Sequence, residues 1–337
     1  MPSLRSLTLE WMDNWDGSID PFESFPHTLK YLLLGSIPLY PSLRKLRSLT
    51  ELFLYDRRFN VQLDILLDFL EENHSLTRAT IGIKFMGPSL RISQRQAAIK
   101  NRLRYLRIVC YSRMDGQALI SNITLSKGAA LELSCWAKDV TANDVLSGIS
   151  TTHLSNLLSP TFMKYHTYTG IIQLLGPNGT ASFHSYSRPD TPFIELSRLP
   201  LTSIREFRLD SCGWESIYPP PGPEVLHHLL SFPALQTFTI RNDGDLSYVL
   251  SPLLSDPSTS PSLRTFGFWN CILTEEFMER LTRFASDRKN TTSAWLHRVV
   301  IVHWEGKFPS MALIHKLKEH VRIVDVRIAA ELPKDLT

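Results

Sequence analysis

An apolar residue recurs at the first, fourth and sixth positions of a short window all along this chain. The pattern reads Leu4, Leu7, Leu9; Leu29, Leu32, Leu34; Leu49, Leu52, Leu54; Leu76, Ala79, Ile81; and Leu103, Leu106, Ile108. It returns as Ile204, Phe207, Leu209; Leu235, Phe238, Ile240; Leu263, Phe266, Phe268; Leu296, Val299, Ile301; and Ile323, Val326, Ile328. Window starts at 49, 76 and 103 are 27 residues apart, and those from 204 onward step by 31, 28, 33 and 27. A near-constant period marks a repeat array. Positions four and six lie two apart, so on a strand they share one side while the residues between face the other. One short strand cannot bury such an edge alone, so the repeats must stack with their strands in parallel, and the about twenty remaining residues of each must return over the outside.

The connecting segments fit helices there. VQLDILLDFLEEN (61–73), PEVLHHLLSF (223–232), LSYVLSPLLS (246–255), TEEFMERLTRFAS (274–286) and MALIHKLKEH (311–320) carry apolar residues at spacings of three and four. Thr274 is the expected start of one helix, and YPPPGP (218–223) and SDPSTSPS (255–262) predict outer turns. Between 137 and 200 the period blurs, although GAALELSCW (128–136) reads as a strand with Leu131 and Leu133, and GIIQLLGPNGTASFHSY (170–186) as two strands about Pro-Asn-Gly. The expected fold is α/β: one domain over 1–337, with N-terminal repeats over 1–136, irregular repeats with a hairpin-like extension over 137–200, and C-terminal repeats over 201–330.

Composition narrows the function. Of 337 residues 43% are hydrophobic and 20% charged, with Lys+Arg 36 against Asp+Glu 33, which excludes disordered and fibrous classes. A net charge of +3 is too small to imply nucleic acid; Arg57–Arg58 and Arg288–Lys289 are expected as solvated turns. No long apolar run predicts a membrane span. MPSLRSLTLEW has neither the basic nor the apolar region of a signal peptide, so the expected location is cytoplasmic or nuclear, and the sequons at Asn122, Asn178 and Asn290 are expected to be chance matches. Cys110, Cys135, Cys212 and Cys271 are far apart with no C-x-x-C, so buried thiols are expected rather than disulfides or a metal site. Counted from Leu263 and Ile204, Cys271 and Cys212 both fall at position nine, where the chain leaves the strand and a small side chain packs inward. Both are read as structural.

The runs IREFRLDSC (204–212) and LRTFGFWNC (263–271) resemble the cysteine-containing leucine-rich repeat, and PSLRTF and PALQTF look like the divergent F-box/leucine-rich-repeat proteins of fungi. The resemblance implies a leucine-rich-repeat horseshoe of about ten to twelve repeats, with a curved parallel sheet on its concave face and helices outside. It also implies the substrate-recognition region of an F-box ubiquitin-ligase receptor. No stretch matches the F-box itself, so binding of the ligase adaptor is implied only if an F-box lies upstream. A stand-alone scaffold unconnected to ubiquitin is the alternative. The first strand begins at Leu4 with nothing before it to cover its apolar face, so an upstream domain, a partner or self-association is expected to protect that end.

No constellation of catalytic residues is found. There is no G-x-S-x-G, P-loop or H-E-x-x-H; His227–His228, His297, His303, His315 and His320 are expected to be solvated or helix-packing, and no cofactor is implied. A non-enzymatic protein-binding surface is expected instead. Positions three, five and seven point out of the sheet, and on them fall Tyr55, Tyr105, Arg107, Glu206, Arg208, Asp210, Arg241 and Trp269, with Arg298 and Trp304 extending the row. Tyr, Trp and Arg are the residues enriched at protein interfaces.

Overall fold

Alternation of apolar and polar residues over a few positions builds a strand with one buried face, and fourteen strands occur among the described residues. The computed structural model describes residues 4–10, 20, 22–23, 28–35, 39–61, 63–85, 103–137, 140, 142–146, 159–167, 169–185, 201–211, 226, 229–242, 250, 254, 256, 258, 260–291, 295–303 and 309–328. The strands are β1 (Ser6–Glu10), β2 (Tyr31–Gly35), β3 (Glu51–Val61), β4 (Arg78–Phe85), β5 (Tyr105–Cys110), β6 (Ala130–Cys135) and β7 (Phe162–His166). They continue with β8 (Ile171–Gly176), β9 (Gly179–Ser185), β10 (Glu206–Ser211), β11 (Thr237–Asn242), β12 (Thr265–Trp269), β13 (Arg298–His303) and β14 (Ile323–Ile328). Helices are few: α1 (Leu63–Glu72), α2 (Arg113–Ser121), α3 (Ala142–Leu146), α4 (Glu275–Thr291) and α5 (Met311–Lys318) are the α-helices of five or more described residues. The chain is therefore α/β, with mostly parallel strands.

It divides into two compact units. One is Met1–Ser159 with Leu175–Arg188 and Glu195–Leu199; the other is Pro160–Leu174 with Pro189–Ile194 and Pro200–Thr337. In the first, β1 to β6 run parallel in sequence order and β9 joins β6 in parallel. In the second, β7 pairs in parallel with β10, and β10 to β14 follow in order.

Register brings the fourth and sixth positions of successive repeats into rows. Leu32, Leu52, Ala79, Leu106, Leu131 and Ala181 form one buried row of the first unit. Met163, Phe207, Phe238, Phe266 and Val299 form its equivalent in the second. The rings touch in series, Phe207 stacking on Phe238 at 5.3 Å and Phe238 meeting Phe266 edge-on at 6.0 Å. Each Phe so buried contributes about 1.5–3 kcal/mol. The strand approaches repeat a second bond. Thr28, Ser48 and Ser203, each just ahead of a position-one residue, donate their hydroxyls to the carbonyls of Leu4, Leu29 and Pro160 at 3.2, 3.0 and 2.8 Å. Those acceptors occupy position one of the preceding repeat, so in these three places one short polar side chain ties a repeat to the last.

The helices cover the apolar rows. In α1 the buried residues are Leu63, Leu66, Leu67, Phe69 and Leu70, one stripe at helical spacing. Asn73 and Asn122 close α1 and α2 in the same way, their side-chain amides donating to Phe69 and Ala118 carbonyls at 3.0 and 2.7 Å. Helix α4 starts where expected, Thr274 Oγ1 accepting from the N–H of Phe277 at 3.2 Å. Its inner face meets the sheet through Phe277 on Phe268 and Phe284 on Phe266, ring centroids 5.5 and 6.0 Å apart.

Several expectations change. Arg57–Arg58 lie within β3 rather than a turn, in a stretch where the register with β4 shifts between Asp56 and Asn60. Arg288 is fully buried on α4, since its guanidinium satisfies carbonyls of the turn before β12. His303 is buried at the end of β13. The last window is shifted by two: Val324 and Val326 stand beside Val299 and Ile301, Val321 is the buried leading residue, and Ile323 and Ile328 are exposed. Two overlapping apolar alternations there fit the window equally, and packing against β13 selects the other one. Of the segments read as helices, half of 223–232 and most of 246–255 lie outside the described residues, as do Cys212 and Trp304.

Candidate interaction surface

The face opposite the core carries positions three, five and seven. In the first unit, register aligns Glu51, Arg78, Tyr105 and Ala130 in one row and Phe53, Thr80, Arg107 and Glu132 in the next; beyond them Tyr55 pairs with Gly82, and Val109 with Ser134. Tyr31 and Phe53 touch with centroids 5.3 Å apart. Gly82 leaves room for this layer: a Cβ there would lie 3.1 Å from Val109 and 3.2 Å from the Tyr55 ring.

Glu132 is the electrostatic centre of this face. It accepts a hydrogen bond from the Tyr105 hydroxyl, pairs through Oε1 with Arg107 Nε at 3.0 Å, and lies 3.4 Å from His184 Nε2. Arg78 stacks over the Tyr105 ring at 4.7 Å. Burial, followed by the Glu132 hydrogen bond, pushes the Tyr105 pKa up to about 12, so the phenol stays a donor. Burial lowers that of His184, with Arg107 adding to the effect and Glu132 opposing it. Glu132 was absent from the residues read off the sequence. It sits at position five of ALELSC, the place Arg107 occupies one repeat earlier, so carrying the row one repeat further would have found it.

Asp210 plays the corresponding part in the second unit. Its Oδ2 lies 2.9 Å from Lys164 Nζ and 3.6 Å from His166 Nδ1, and its Oδ1 lies 3.4 Å from Arg208 Nε. The last contact is an ion pair without hydrogen-bond geometry, since both atoms lack a hydrogen-bond partner. Two cations thus share one carboxylate, all three side chains being nearly buried at 11, 7 and 7% exposure for Lys164, Arg208 and Asp210. Burial, then the Lys164 charge, lowers the His166 pKa; burial raises that of Glu206, opposed by Arg208. Across the face from this cluster Gly267 sits beside Thr239, whose Oγ1 a Cβ would approach at 3.0 Å.

Of the residues expected on this surface, Tyr55, Tyr105 and Arg107 lie on the first unit and Glu206, Arg208, Asp210, Arg241, Trp269 and Arg298 on the second. Glu206, Arg241, Trp269 and Arg298 are half-buried and present surface, whereas Arg208 and Asp210 expose only 6%. Cys271 is buried as expected, its Sγ 3.3 Å from the Trp269 carbonyl and 3.6 Å from that of Ile240. Asn270, with φ of 52°, turns the chain inward there and donates its N–H to the Val302 carbonyl at 2.7 Å. Cys110 and Cys135 are register partners, both free and buried, and a hydrogen bond between the thiols together with burial raises the Cys110 pKa. Among the described residues, no three His, Cys, Asp or Glu side chains are grouped to hold a metal ion, and no helix is long and apolar enough to cross a membrane. No protein-family model and no curated protein matches the chain.

Proposed function

We infer that the chain is built of leucine-rich repeats and that the open face of its strands binds a protein client, in the manner of the substrate-recognition region of an F-box ubiquitin-ligase receptor. The hydroxyl-to-carbonyl tie from the residue ahead of position one to position one of the preceding repeat supports the repeat reading, because it occurs three times at the approach to a new strand. The observation that carries the binding reading is the open face of β11 to β13, where Arg241 and Trp269 are register partners, Arg298 lies in another row, and all three remain half-exposed over a core of touching Phe rings. Rigid aromatic and guanidinium groups lose little entropy on contact. The reading is non-enzymatic, with no nucleic acid as partner, and places the chain in cytoplasm or nucleus.

Trp269→Ala should weaken client binding by about 2 kcal/mol, roughly thirtyfold, with little change in stability. Glu279→Ala, on the exposed side of α4, is the control. Equal losses from both would reject the open face as the binding surface. Capture of the ligase adaptor subunit by the full-length gene product supports the F-box branch; client capture without adaptor supports the stand-alone scaffold.

A further inference from the structure

Strand β14 ends the strand order of its unit, and its six residues pair with β13 alone. Ile323 donates its N–H to the His297 carbonyl at 3.0 Å, so the odd-numbered residues direct their backbone groups at β13 and Val324, Val326 and Ile328 direct theirs outward. Among the described residues no strand pairs with this outer edge, and Ile323 and Ile328 are 43 and 71% exposed. It carries no proline and no register shift, the devices that usually blunt an edge. Its charges are Asp325 and Arg327, both on the open face. Asp325 Oδ2 lies 3.0 Å from Arg298 Nη2, and both its oxygens lie 3.0 Å from Arg327 Nε, whose side chain is 59% exposed.

We propose that β14 is a homodimerisation edge, pairing antiparallel with β14 of a second copy about a two-fold axis at Val326. Backbone parity requires that outward-facing residues meet each other, which confines the centre to Val324, Asp325, Val326 or Arg327 with like-parity partners. A centre at Asp325 places carboxylate against carboxylate, and one at Arg327 places guanidinium against guanidinium. A centre at Val324 sets Asp325 against Ile323. Only the centre at Val326 places Asp325 of each copy opposite Arg327 of the other, at a non-hydrogen-bonded pair where side chains approach most closely. In that register Val326 meets Val326 and Ile328 meets Val324, so the apolar residues of the opposite side are also matched. Each Asp325 then lies between its own Arg327 and that of the second copy, and the open faces of both copies point the same way. The charges that would repel a foreign strand are self-complementary.

Sedimentation velocity on the full chain, across about 1 to 100 μM where so short a strand interface should dissociate, tests this. The wild type should convert from the 38.5 kDa monomer to a species of twice that mass. Asp325→Arg and Arg327→Asp should each raise the dissociation constant at least about tenfold. Mixed in equal amounts, the two variants should recover dimer as the heterodimer, because the first presents two guanidinium groups on its edge and the second presents two carboxylates. Val326→Pro, which removes an outward N–H and no bond to β13, should abolish the dimer with circular dichroism unchanged. A wild type that stays monomeric, species larger than a dimer, or a mixture that associates no better than its components would overturn the proposal.

Discussion

Arg288 offers the sharpest test of the packing. It lies fully buried on the inner face of α4, its Nη1 donating to the Ser260 carbonyl at 3.1 Å and its Nη2 to those of Leu263 and Pro261 at 3.1 and 3.3 Å. Its guanidinium also stands 5.4 Å from the Phe284 ring, and burial pulls its pKa downward. Ser260, at φ of 60°, forms the turn that feeds β12. Replacing Arg288 by Met keeps the stem and removes the fork. The Leu263 and Pro261 carbonyls would then lose this donor at about 1–3 kcal/mol each, that of Ser260 would keep the Leu263 N–H at 2.9 Å, and the cost of burying a cation would disappear. The donor loss wins because three bonds are made at once, so Arg288→Met should destabilise by about 2–5 kcal/mol. A central value of about 3 kcal/mol corresponds to a melting temperature lower by about 6–12 °C for a unit of this size. Arg288→Lys, which can reach one carbonyl, should fall between. Calorimetry checks the melting point, and hydrogen exchange should show Leu263 and the β12 amides opening first. A variant that melts at or above the wild-type temperature would refute the reasoning, because the desolvation cost would then outweigh the bonds.

Three further outcomes are expected. Cys271→Ala should cost about 1–2 kcal/mol, with Cys271→Asn milder because an amide can donate to the same Trp269 and Ile240 carbonyls; thiol labelling of native protein should be slow. Asp210→Asn leaves Lys164 and Arg208 nearly buried without their carboxylate and should cost about 3–5 kcal/mol, read as a lower urea midpoint. His166, His184 and His303 have pKa values lowered from 6.5, mainly by burial, so the unfolded chain takes up protons first; the stability they contribute above that pH is lost as the pH falls through it, and urea midpoints at pH 7.5, 6.0 and 5.0 should decline in that order.

The strands were legible wherever positions one, four and six were Leu, Ile, Val or Phe. Strand β7 escaped because its residues at those places are Pro160, Met163 and Tyr165, all buried, the last two in register with Phe207 and Leu209 only once folded. Strand β9 was legible as one of two strands about Pro-Asn-Gly, and what the sequence hid there was its place in the repeat, Ala181 and Phe183 standing beside Leu131 and Leu133. The pattern was intact in both; the alphabet used to assign repeats was too narrow. Which side faces out was legible too, since that follows from the period of two. Degree of burial was not. Arg208 and Trp269 share one face, yet the arginine is the more deeply covered, because the Lys164 and Asp210 charges that surround it come from another strand and from two residues further along its own. Arg288 was unreadable for the same reason, its partners lying 25 to 28 residues away.

The open face carries one recurrent device that the core lacks. Apolar rows are nearly interchangeable from repeat to repeat, Leu standing on Leu, so hydrophobic burial alone distinguishes poorly between one neighbouring strand and the next. Ion pairs are not interchangeable. Arg107 finds its carboxylate on the adjacent strand at Glu132, Lys164 finds its own at Asp210, and Arg298 its own at Asp325. Each pair joins two strands that are neighbours in the sheet, and each carboxylate also gathers a second cation or imidazole. Skipping β6 would place Arg107 against Ser182 of β9 instead of Glu132, leaving a half-buried cation without its counter-ion at little apolar gain. Specificity for the correct stacking order therefore comes from the polar face, whereas the free energy of stacking comes from the apolar one. Residues fixed by that task, Arg208 and Asp210 above all, are poorly placed to meet a client. On the function proposed above, contact with a client rests with residues the pairing leaves half-exposed, Trp269 and Arg241 first among them.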